Sequence, residues 1–415
     1  MKYDVIIVGA GLAGISCARA LHHENTSFLL IDKSGSLGGK LRTDCMNGYL
    51  LDRGFQVFFT AYPECKHELD YDSLNLHSFY PGSLVRINDK FYKIADPWRK
   101  PLDLISTIRA PVGSLKDKLK IGLLKSSLKN KSLNNIFDGS DIRTSQHLEN
   151  LGFSDQIISA FFKPLLSGVF GDNDLGTSSI MFEFIFSMMS SGQTTLPERG
   201  IQAIPAQMAE SLPQKSILLN TSVTEVSDKS VITCCGDQIH ADTVIVATDG
   251  PSAETLLNVP SPSYKSSTCI YFSSEKSPDI NNCLALNGTG YGPINSLCVP
   301  SNVSTSYAPH GKSLISITIL NNKYDNEFYM MSDVLTQARE WFGSEIDNWE
   351  HLNSYTIRHV LPDQSPPFSK IKNKTVYLDN GVLACGDYRQ NGSINGAISS
   401  GKIAAKSALD KLKSL

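Results

Sequence analysis

Hydrophobic residues near the amino terminus form two short runs on either side of a helical pattern. Residues 5–8 are apolar and β-branched, as expected for a parallel strand that is buried on both faces. Apolar residues between Leu12 and Leu21 then recur at helical spacing, and residues 27–31 form a second buried run that ends at Asp32. The pattern predicts one strand–helix–strand unit of about 30 residues.

The rest of the chain alternates between helical and strand-like patterning. Residues 64–195 carry apolar residues mostly at helical spacing, which predicts a largely helical insertion. Its Phe- and Met-rich stripes suit either a core or the wall of a site for a large apolar molecule. Residues 252–375 hold three strand-like runs and one helical run, which predicts a mixed sheet. Residues 244–248 and 382–387 are again buried strands, so the fold class is α/β.

Three glycines between the first strand and its helix follow the G-x-G-x-x-G spacing. The first permits a tight turn, the second lets a pyrophosphate approach the backbone, and the third lets the helix pack closely on the strand. The start of the helix presents unpaired N–H groups to phosphates, and the acid on the second strand can accept hydrogen bonds from ribose hydroxyls. The residues predicted to bind a dinucleotide here are Gly9, Gly11, Leu12, Ala13, Gly14, Asp32 and Lys33.

The segment after Asp32 resembles the second signature of the FAD flavoproteins that include amine oxidases, phytoene desaturases and protoporphyrinogen oxidases. In that family a Gly-Gly-Arg loop wraps the pyrophosphate and the ribityl chain of FAD. Gly38 and Gly39 match this loop, and Lys40 takes the place of the arginine. The charge is kept but the bidentate fork is lost, and Arg42 is the neighbouring residue that would supply it.

Further matches to this family lie in the middle and at the end of the chain. Gly54 belongs to a segment that looks like the strand beside the isoalloxazine, and Val223 matches the residue whose backbone pairs with the adenine. The resemblance assigns Asp387 to the ribityl hydroxyls and aims the start of the last helix at flavin N1, where it would stabilise negative charge. The residues assigned to FAD in these segments are Gly54, Phe55, Gln56, Val223, Gly386, Asp387, Ser393, Ile394, Asn395 and Ala397.

The resemblance covers essentially the whole chain and implies two discontinuous domains. We expect a Rossmann-like FAD-binding domain from residues 1–63, 196–251 and 376–415. A substrate domain, with a mixed β-sheet and the helical insertion, would take residues 64–195 and 252–375.

The cofactor is expected to be non-covalent FAD. Amine oxidases with a covalent flavin carry their linking cysteine near the strand that corresponds to residues 355–364. No cysteine lies between Cys298 and Cys385 in this sequence.

The resemblance implies an oxidoreductase that passes hydride from a bulky apolar substrate, a polyene or a tetrapyrrole precursor, to flavin N5. The electron acceptor is open between O2 and a quinone, and Gln56, Tyr62 and His359 are the candidate catalytic residues. The alternatives are an amine oxidase, a redox-neutral flavin isomerase, and a non-catalytic lipid- or prenyl-binding protein such as the Rab escort proteins. The intact glycine motifs and Asp387 argue against a binding protein, which has no need of them.

Composition and charge add a second hypothesis. The chain has 415 residues, 41% of them hydrophobic, and a formal net charge of -3, which is ordinary for a globular protein. Residues 86–131 depart from this average, because they contain twelve Lys and Arg and four Asp, a net charge of +8. Beside apolar residues at helical spacing, this charge predicts peripheral contact with an anionic membrane. The alternative is a solvated lysine face on a core helix.

Other features set the compartment and exclude some partners. The sequence enters its first strand at residue 4 and has no apolar run of membrane-spanning length, so we expect a cytoplasmic protein. Nine cysteines are scattered without a C-x-x-C pair, which argues against a metal site or a disulfide framework. No nucleic-acid partner is expected.

Overall fold

The computed structural model describes residues 3–320, 324, 326–368, 376–378 and 380–414. Its strands are β1 (Tyr3–Val8), β2 (Phe28–Ile31), β3 (Thr43–Met46), β4 (Tyr49–Asp52), β5 (Phe58–Phe59), β6 (Leu76–Ser78), β7 (Gly82–Ile87), β8 (Lys90–Ala95), β9 (Thr194–Pro197), β10 (Ile217–Leu218), β11 (Val223–Val226), β12 (Ser230–Thr233), β13 (Gln238–Val246), β14 (Tyr264–Ser274), β15 (Leu284–Asn287), β16 (Ile294–Cys298), β17 (Ser313–Leu320), β18 (Glu350–Pro362) and β19 (Leu383–Ala384). Its helices are α1 (Leu12–His23), α2 (Pro63–Glu68), α3 (Tyr71–Leu74), α4 (Leu104–Arg109), α5 (Leu115–Lys129), α6 (Leu133–Phe137), α7 (Thr144–Asn150), α8 (Asp155–Ile157), α9 (Lys163–Phe170), α10 (Ser179–Ser191), α11 (Ala203–Ala209), α12 (Gly250–Leu257), α13 (Pro300–Val303), α14 (Glu327–Phe342) and α15 (Ile394–Lys413).

The first sheet is built around β1, most of which is buried. β1 pairs in parallel with β2 on one side and with β13 on the other, β10 pairs with β2, and β19 pairs with the last residues of β13. β12 and β11 add an antiparallel extension beside the first residues of β13. The parallel pair β1 and β2, joined by α1, confirms the predicted βαβ unit. The carboxyl ends of β1, β2, β13 and β19 meet at one edge, where ligands bind in such sheets.

The last helix, α15, packs across α1. The Ser16 hydroxyl donates a hydrogen bond to the Ile398 carbonyl at 2.9 Å. A Cβ added to Gly401 would lie only 2.1 Å from the Ala13 carbonyl oxygen, so the two helices meet backbone to backbone. The carboxyl terminus is thereby fixed beside the first βαβ unit, which brings the two ends of the sequence together.

The second sheet has the strand order β18-β14-β17-β16-β15-β7-β8. β15 and β7 pair in parallel and the other neighbours are antiparallel, so the sheet is mixed, as predicted. The strands from residues 252–375 pair antiparallel with one another, and the parallel pair is made with β7, outside that range. The hairpin of β7 and β8 corrects the description of residues 64–195 as largely helical. Asn88 turns this hairpin with a φ of 51°, and β15 supplies a partner strand that local propensity does not reveal.

Helices α4 to α10 form the insertion, in which α9 packs on β15, β16 and β17 of the second sheet. α8 and α9 are joined by a π-helical turn at Ile158–Phe162, so that helical backbone runs from Asp155 to Phe170. Pro164 lies in the first turn of α9, directly after this π-helical turn, and does not end the helical run. Side chains of α9 and α10 belong to the same buried cluster as β1 and α15.

The α/β fold class is confirmed, whereas the division into two discontinuous domains stays a prediction. The first sheet takes its strands from the amino terminus, from residues 217–246 and from β19. The predicted boundary after residue 375 borders residues 369–375, which lie outside the described residues. Within the described part of the chain, no helix combines the length and the apolarity needed to cross a membrane.

Candidate functional site

A cavity of about 1660 Å³ extends from the carboxyl edge of the first sheet to the helical insertion. Typical sites for a single small ligand measure about 300–1000 Å³. The cavity therefore has room for two molecules. We call the part lined by the loops after β1, β2 and β19 the glycine-loop end, and the part lined by residues 78–194 the insertion end.

The glycine-loop end is organised by Asp32. One oxygen of its carboxylate accepts a hydrogen bond from the Ala10 amide at 2.6 Å, and the other accepts one from the Ser34 amide at 2.7 Å. This fixes the loop after β1 against the end of β2 and leaves the carboxylate on the cavity wall. Gly11 is the N-cap residue of α1 and offers no side-chain cap, so amides of the first turn are available to phosphate oxygens.

The second glycine loop closes against the first. The Gly38 amide donates to the Ala10 carbonyl at 2.9 Å. Gly39 has a φ of +61°, and a Cβ placed on it would lie 3.0 Å from the Gly11 Cα atom. A side chain on Gly39 would therefore fill the space in front of the first turn of α1. The bare backbone on both sides fits the pyrophosphate of a dinucleotide.

Lys40 joins this loop to the last strand of the sheet. Its Nζ atom donates to the Asp387 carboxylate at 2.7 Å and lies 5.3 Å from the centroid of the Tyr264 ring. Asp387 follows β19 and lines the cavity with Gly386. Lys40 thus balances the charge of the acid that was assigned to the ribityl hydroxyls. The neighbouring Arg42 hydrogen-bonds the Ser36 hydroxyl within the same loop.

The segment after β4 is held by a buried acid, Asp52. Its carboxylate accepts hydrogen bonds from the Thr43 hydroxyl at 2.6 Å and from the Ile201 amide at 3.0 Å. The Tyr307 hydroxyl donates to its other oxygen at 2.9 Å. Burial raises the pKa of Asp52 to about 6, against the lowering effect of these donors. Gly54 follows with a φ of +92°, where a Cβ would clash with the Ile357 side chain at 2.6 Å.

Most of the predicted cofactor-binding residues line the cavity, and their role in binding FAD stays a prediction. The lining residues among them are Gly9, Gly11, Leu12, Ala13, Asp32, Lys33, Gly38, Gly39, Lys40, Arg42, Gly54, Phe55, Gln56, Val223, Gly386, Asp387, Ser393, Ile394 and Ala397.

Two predicted cofactor residues, Gly14 and Asn395, lie outside the lining. A Cβ on Gly14 would come within 1.9 Å of the Gly9 carbonyl oxygen, so this glycine serves the packing of α1 on the preceding turn. The side chain of Asn395 is buried, and its Oδ1 atom accepts a hydrogen bond from the Glu64 amide at 3.0 Å. Asn395 therefore ties α15 to α2, and the start of α15 faces the cavity through Ile394 and Ala397.

The three candidate catalytic residues have different positions. Gln56 lines the cavity, and its amide nitrogen donates to the Lys40 carbonyl at 3.0 Å, which stabilises the loop. Tyr62 is a buried lining residue, and burial raises the pKa of its hydroxyl far above the ordinary value. The structure does not bring His359 to the cavity. Pairing of β18 with β14 is irregular between Ile357 and Leu361, which breaks the strand alternation and leaves His359 exposed.

The walls of the insertion end were identified only in part from the sequence. Its apolar lining residues come mainly from α9, α10 and the turn before α9: Phe161, Pro164, Leu165, Val169, Phe170, Ile185, Phe186 and Met189. The Phe- and Met-rich stripes contribute both to the core and to the wall of the cavity. The 3.6-residue period signalled these helices, but which side chains meet the cavity depends on their packing.

The charged residues of the insertion end were missed, because the sequence interpretation placed the basic segment either at a membrane or on a solvated helix face. Three basic side chains line this end, those of Arg99, Lys100 and Lys125. Asp96 is the acidic residue among the described lining residues between 78 and 194, and it pairs with Lys125 and, at 3.5 Å, with Arg99. Arg99 also donates to the Ser190 carbonyl at 2.6 Å. The insertion end is therefore apolar, with a net positive set of charged residues. We call Arg99, Lys100 and Lys125 its rim.

Comparison with known proteins places these features in a family. A sequence profile described as flavin containing amine oxidoreductase matches residues 12–409. Protoporphyrinogen oxidase 2, chloroplastic/mitochondrial, from Arabidopsis thaliana is 26% identical over 166 residues, which cover 40% of this chain and 32% of that protein. Coproporphyrinogen III oxidase from Bacillus subtilis (strain 168) is 22% identical over 301 residues, 62% of each chain. The matches thus span less than two thirds of these relatives.

A solved structure gives the same result for the fold. Cyclohexylamine oxidase from Brevibacterium oxydans IH-35A superimposes with a TM-score of 0.73 and 14% identity over 100% of both chains. At this identity the likeness concerns the fold alone. The profile match, in contrast, extends over nearly the whole sequence. The chain therefore belongs to the flavin-containing amine oxidoreductase family.

Proposed function

We propose that this protein is an FAD-dependent oxidoreductase whose substrate is a bulky, largely apolar molecule that carries carboxylates, as tetrapyrrole precursors do. Bound FAD supplies a hydride acceptor, N5 of its flavin. The two glycine loops would hold its pyrophosphate, Asp32 the adenosine ribose, and Asp387 with Lys40 the ribityl chain. The remaining residues bind and orient the substrate.

The observation that carries this proposal is the continuity of one large cavity from the glycine loops to the insertion end. A dinucleotide would fill the glycine-loop end, and the apolar residues of α9 and α10 would remain free to contact a second molecule. Aromatic and aliphatic walls exclude water from a hydride-transfer site and favour broad, hydrophobic substrates.

The rim of basic residues favours an anionic substrate. Lys100 is exposed at the cavity and lies 5.7 Å from the Tyr80 ring centroid, without an acidic partner among the described ion pairs. A carboxylate that reaches this rim is attracted, whereas an ammonium group is repelled. The names of the two relatives, a protoporphyrinogen oxidase and a coproporphyrinogen III oxidase, support the same substrate class.

Substrate-dependent bleaching of the flavin tests this proposal. The purified holoenzyme is titrated without oxygen against a porphyrinogen with free carboxylates, its methyl ester, a polyene and a primary amine. We expect the free-acid porphyrinogen to reduce the flavin at the lowest concentration. Reduction by the amine, with none by either porphyrinogen, would contradict the proposal. Re-oxidation by air or by a quinone then distinguishes the two expected electron acceptors.

A lysine variant tests the role of the rim. Lys100→Gln should raise the free-acid concentration needed for half reduction by about two- to fivefold, because an exposed charge contributes modestly. The ester should show no such change. Lys90→Gln removes an exposed lysine that does not line the cavity and is the matched control. An equal effect of Lys100→Gln on acid and ester would refute carboxylate recognition by the rim.

Amine oxidation is the second candidate function, and membership of the flavin-containing amine oxidoreductase family favours it. An amine would have to bind as the neutral base, because the lining of the insertion end carries more basic than acidic side chains. Amine turnover should then rise steeply with pH up to the pKa of the substrate. The same titration panel, repeated at two pH values, separates the two functions.

A further inference from the structure

Helix α5 has apolar side chains on two different faces. Leu124 and Leu128 are buried, with 7% and 2% exposure, and attach the helix to the core. Leu115, Leu119 and Leu123 follow each other at four-residue spacing on another face and are 57%, 72% and 69% exposed. An amphipathic surface helix needs a single apolar face for its fold, so the second face calls for a partner.

The preceding segment continues this exposed apolar surface. Leu102, Ile105 and Ile108 are 95%, 61% and 44% exposed. The Nζ atom of Lys118 in α5 donates to the Ile108 carbonyl at 3.0 Å, which fixes the end of α4 beside α5. These six exposed apolar side chains thus lie on α5 and on residues 101–109, two segments that are hydrogen-bonded to each other.

Trp98 extends the surface across α5. Its indole ring is 65% exposed and packs on Gly122, where an added Cβ would lie 2.6 Å from the ring. We name the surface formed by Trp98, Leu102, Ile105, Ile108, Leu115, Leu119 and Leu123 the leucine surface.

Basic residues surround this surface, but fewer of them are free than the sequence indicated. Lys118, Lys120 and Lys125 are engaged with the Ala110 carbonyl, the Gly152 carbonyl and Asp96, respectively. The exposed basic residues that remain near the leucine surface are Lys100, Arg109, Lys116 and Lys129. An apolar centre with a positive border is complementary to an anionic bilayer, whose headgroups are negative and whose interior is apolar.

The leucine surface adjoins the cavity. Ile121 and Lys125 of α5 line the insertion end, on a different face of the helix from the exposed Leu119 and Leu123. Trp98 is both exposed and part of the lining, so the cavity opens beside this surface. A membrane that covers the leucine surface would lie at the entrance of the site.

We propose that the leucine surface docks on an anionic lipid bilayer, with its apolar side chains in the interfacial layer and its basic border against the headgroups. This partner goes beyond the proposed function, since it requires no catalysis and no particular substrate. The two proposals can therefore be tested separately. The holoenzyme without substrate can lack vesicle binding and still oxidise the proposed substrate class, or bind vesicles without oxidising that class.

Tryptophan fluorescence tests the docking without a variant of the leucine residues. Trp341 and Trp349 are buried, at 9% and 8% exposure, so Trp98 is the exposed one of the three tryptophans. Vesicles of phosphatidylglycerol and brominated phosphatidylcholine should quench the holoenzyme, and Trp98→Phe should remove most of that quenching. Absence of quenching, or equal quenching in Trp98→Phe, overturns the proposal.

Co-sedimentation with the same vesicles, unbrominated, identifies the residues. Leu119→Ser/Leu123→Ser should bind at least about tenfold more weakly, because two exposed leucines no longer enter the interface. Phe328→Ser/Tyr329→Ser removes two exposed aromatic residues of α14 and is the matched control, expected to bind like wild type. FAD content and melting temperature verify that each variant is folded.

The other outcomes are equally decisive. Arg109→Gln/Lys116→Gln should weaken binding at low salt and have little effect at high salt, where these charges are screened. Wild type that stays in the supernatant with anionic vesicles at low salt overturns the proposal. So does a leucine variant that converts a wild-type dimer into a monomer without changing vesicle binding, which would make the leucine surface a contact between two copies of this chain.

Discussion

Replacing Asp52 with asparagine tests how the end of β4, just before Gly54, is anchored. Asp52 is 3% exposed and bonds to residues from three parts of the sequence, Thr43, Ile201 and Tyr307. Asparagine has the same shape. Its carbonyl oxygen can accept from the first two groups, and its amide can donate to the tyrosine hydroxyl oxygen. The substitution therefore removes the titration of this site and keeps its contacts.

The magnitude follows from the pKa of Asp52. In the folded protein burial raises this pKa to about 6, whereas an unfolded chain has a value of about 3.9. Between these values the folded state binds more protons than the unfolded state, so the free energy of unfolding falls as the pH rises. A difference of about 2 pKa units corresponds to about 3 kcal/mol, present below pH 4 and lost above pH 6. An asparagine side chain does not titrate, so the variant keeps this contribution.

Denaturant unfolding with saturating FAD, measured at steps from about pH 4 to pH 7.5, checks this value. Relative to wild type, Asp52→Asn should gain about 3 kcal/mol of stability across that range. Asp44→Asn is the control of opposite sign, because the Arg53 guanidinium lowers the pKa of Asp44. It should lose stability relative to wild type as the pH rises through its window. A pH-independent difference between Asp52→Asn and wild type would refute the reasoning.

Three further predictions concern the glycine-loop end. Asp32→Ala should weaken FAD binding about tenfold or more, because a carboxylate acceptor is lost. Asp237→Ala, at an exposed turn, should leave FAD binding unchanged, and equilibrium titration of the apoprotein with FAD measures both variants. Lys40→Arg should retain FAD and Lys40→Gln should release it faster, since only the former can still pair with Asp387; equal dissociation rates would contradict this. Gly39→Val should yield a folded protein without bound FAD, as circular dichroism and flavin absorbance would show, because a side chain would strain the backbone and fill the cradle.

The first βαβ unit and its glycine loops could be predicted because local signals coincide there. Short β-branched runs, a helical period and three spaced glycines each point to the same structure. The position of Asp387 was also predictable, because it directly follows a short buried strand and a glycine. Such features depend on a few neighbouring residues and need no knowledge of long-range packing.

Features set by contacts between distant segments could not be predicted. The hairpin of β7 and β8 depends on pairing with β15, some two hundred residues later. The exposure of His359 depends on an irregularity between β14 and β18. The packing of α5 decides which basic residues of the segment 86–131 line the cavity, which bond to backbone carbonyls and which stay exposed. Asn395 is turned to α2 by a bond to Glu64, which no local pattern signals.

Acid precipitation of the purified protein tests the central claim most directly. None of the residues of the described chain that line the cavity is a cysteine. We predict that the soluble fraction will contain all of the yellow chromophore, identifiable as FAD, at about one molecule per chain. A chromophore that stays with the pellet would contradict non-covalent binding. A colourless protein that takes up no added FAD would contradict the whole account.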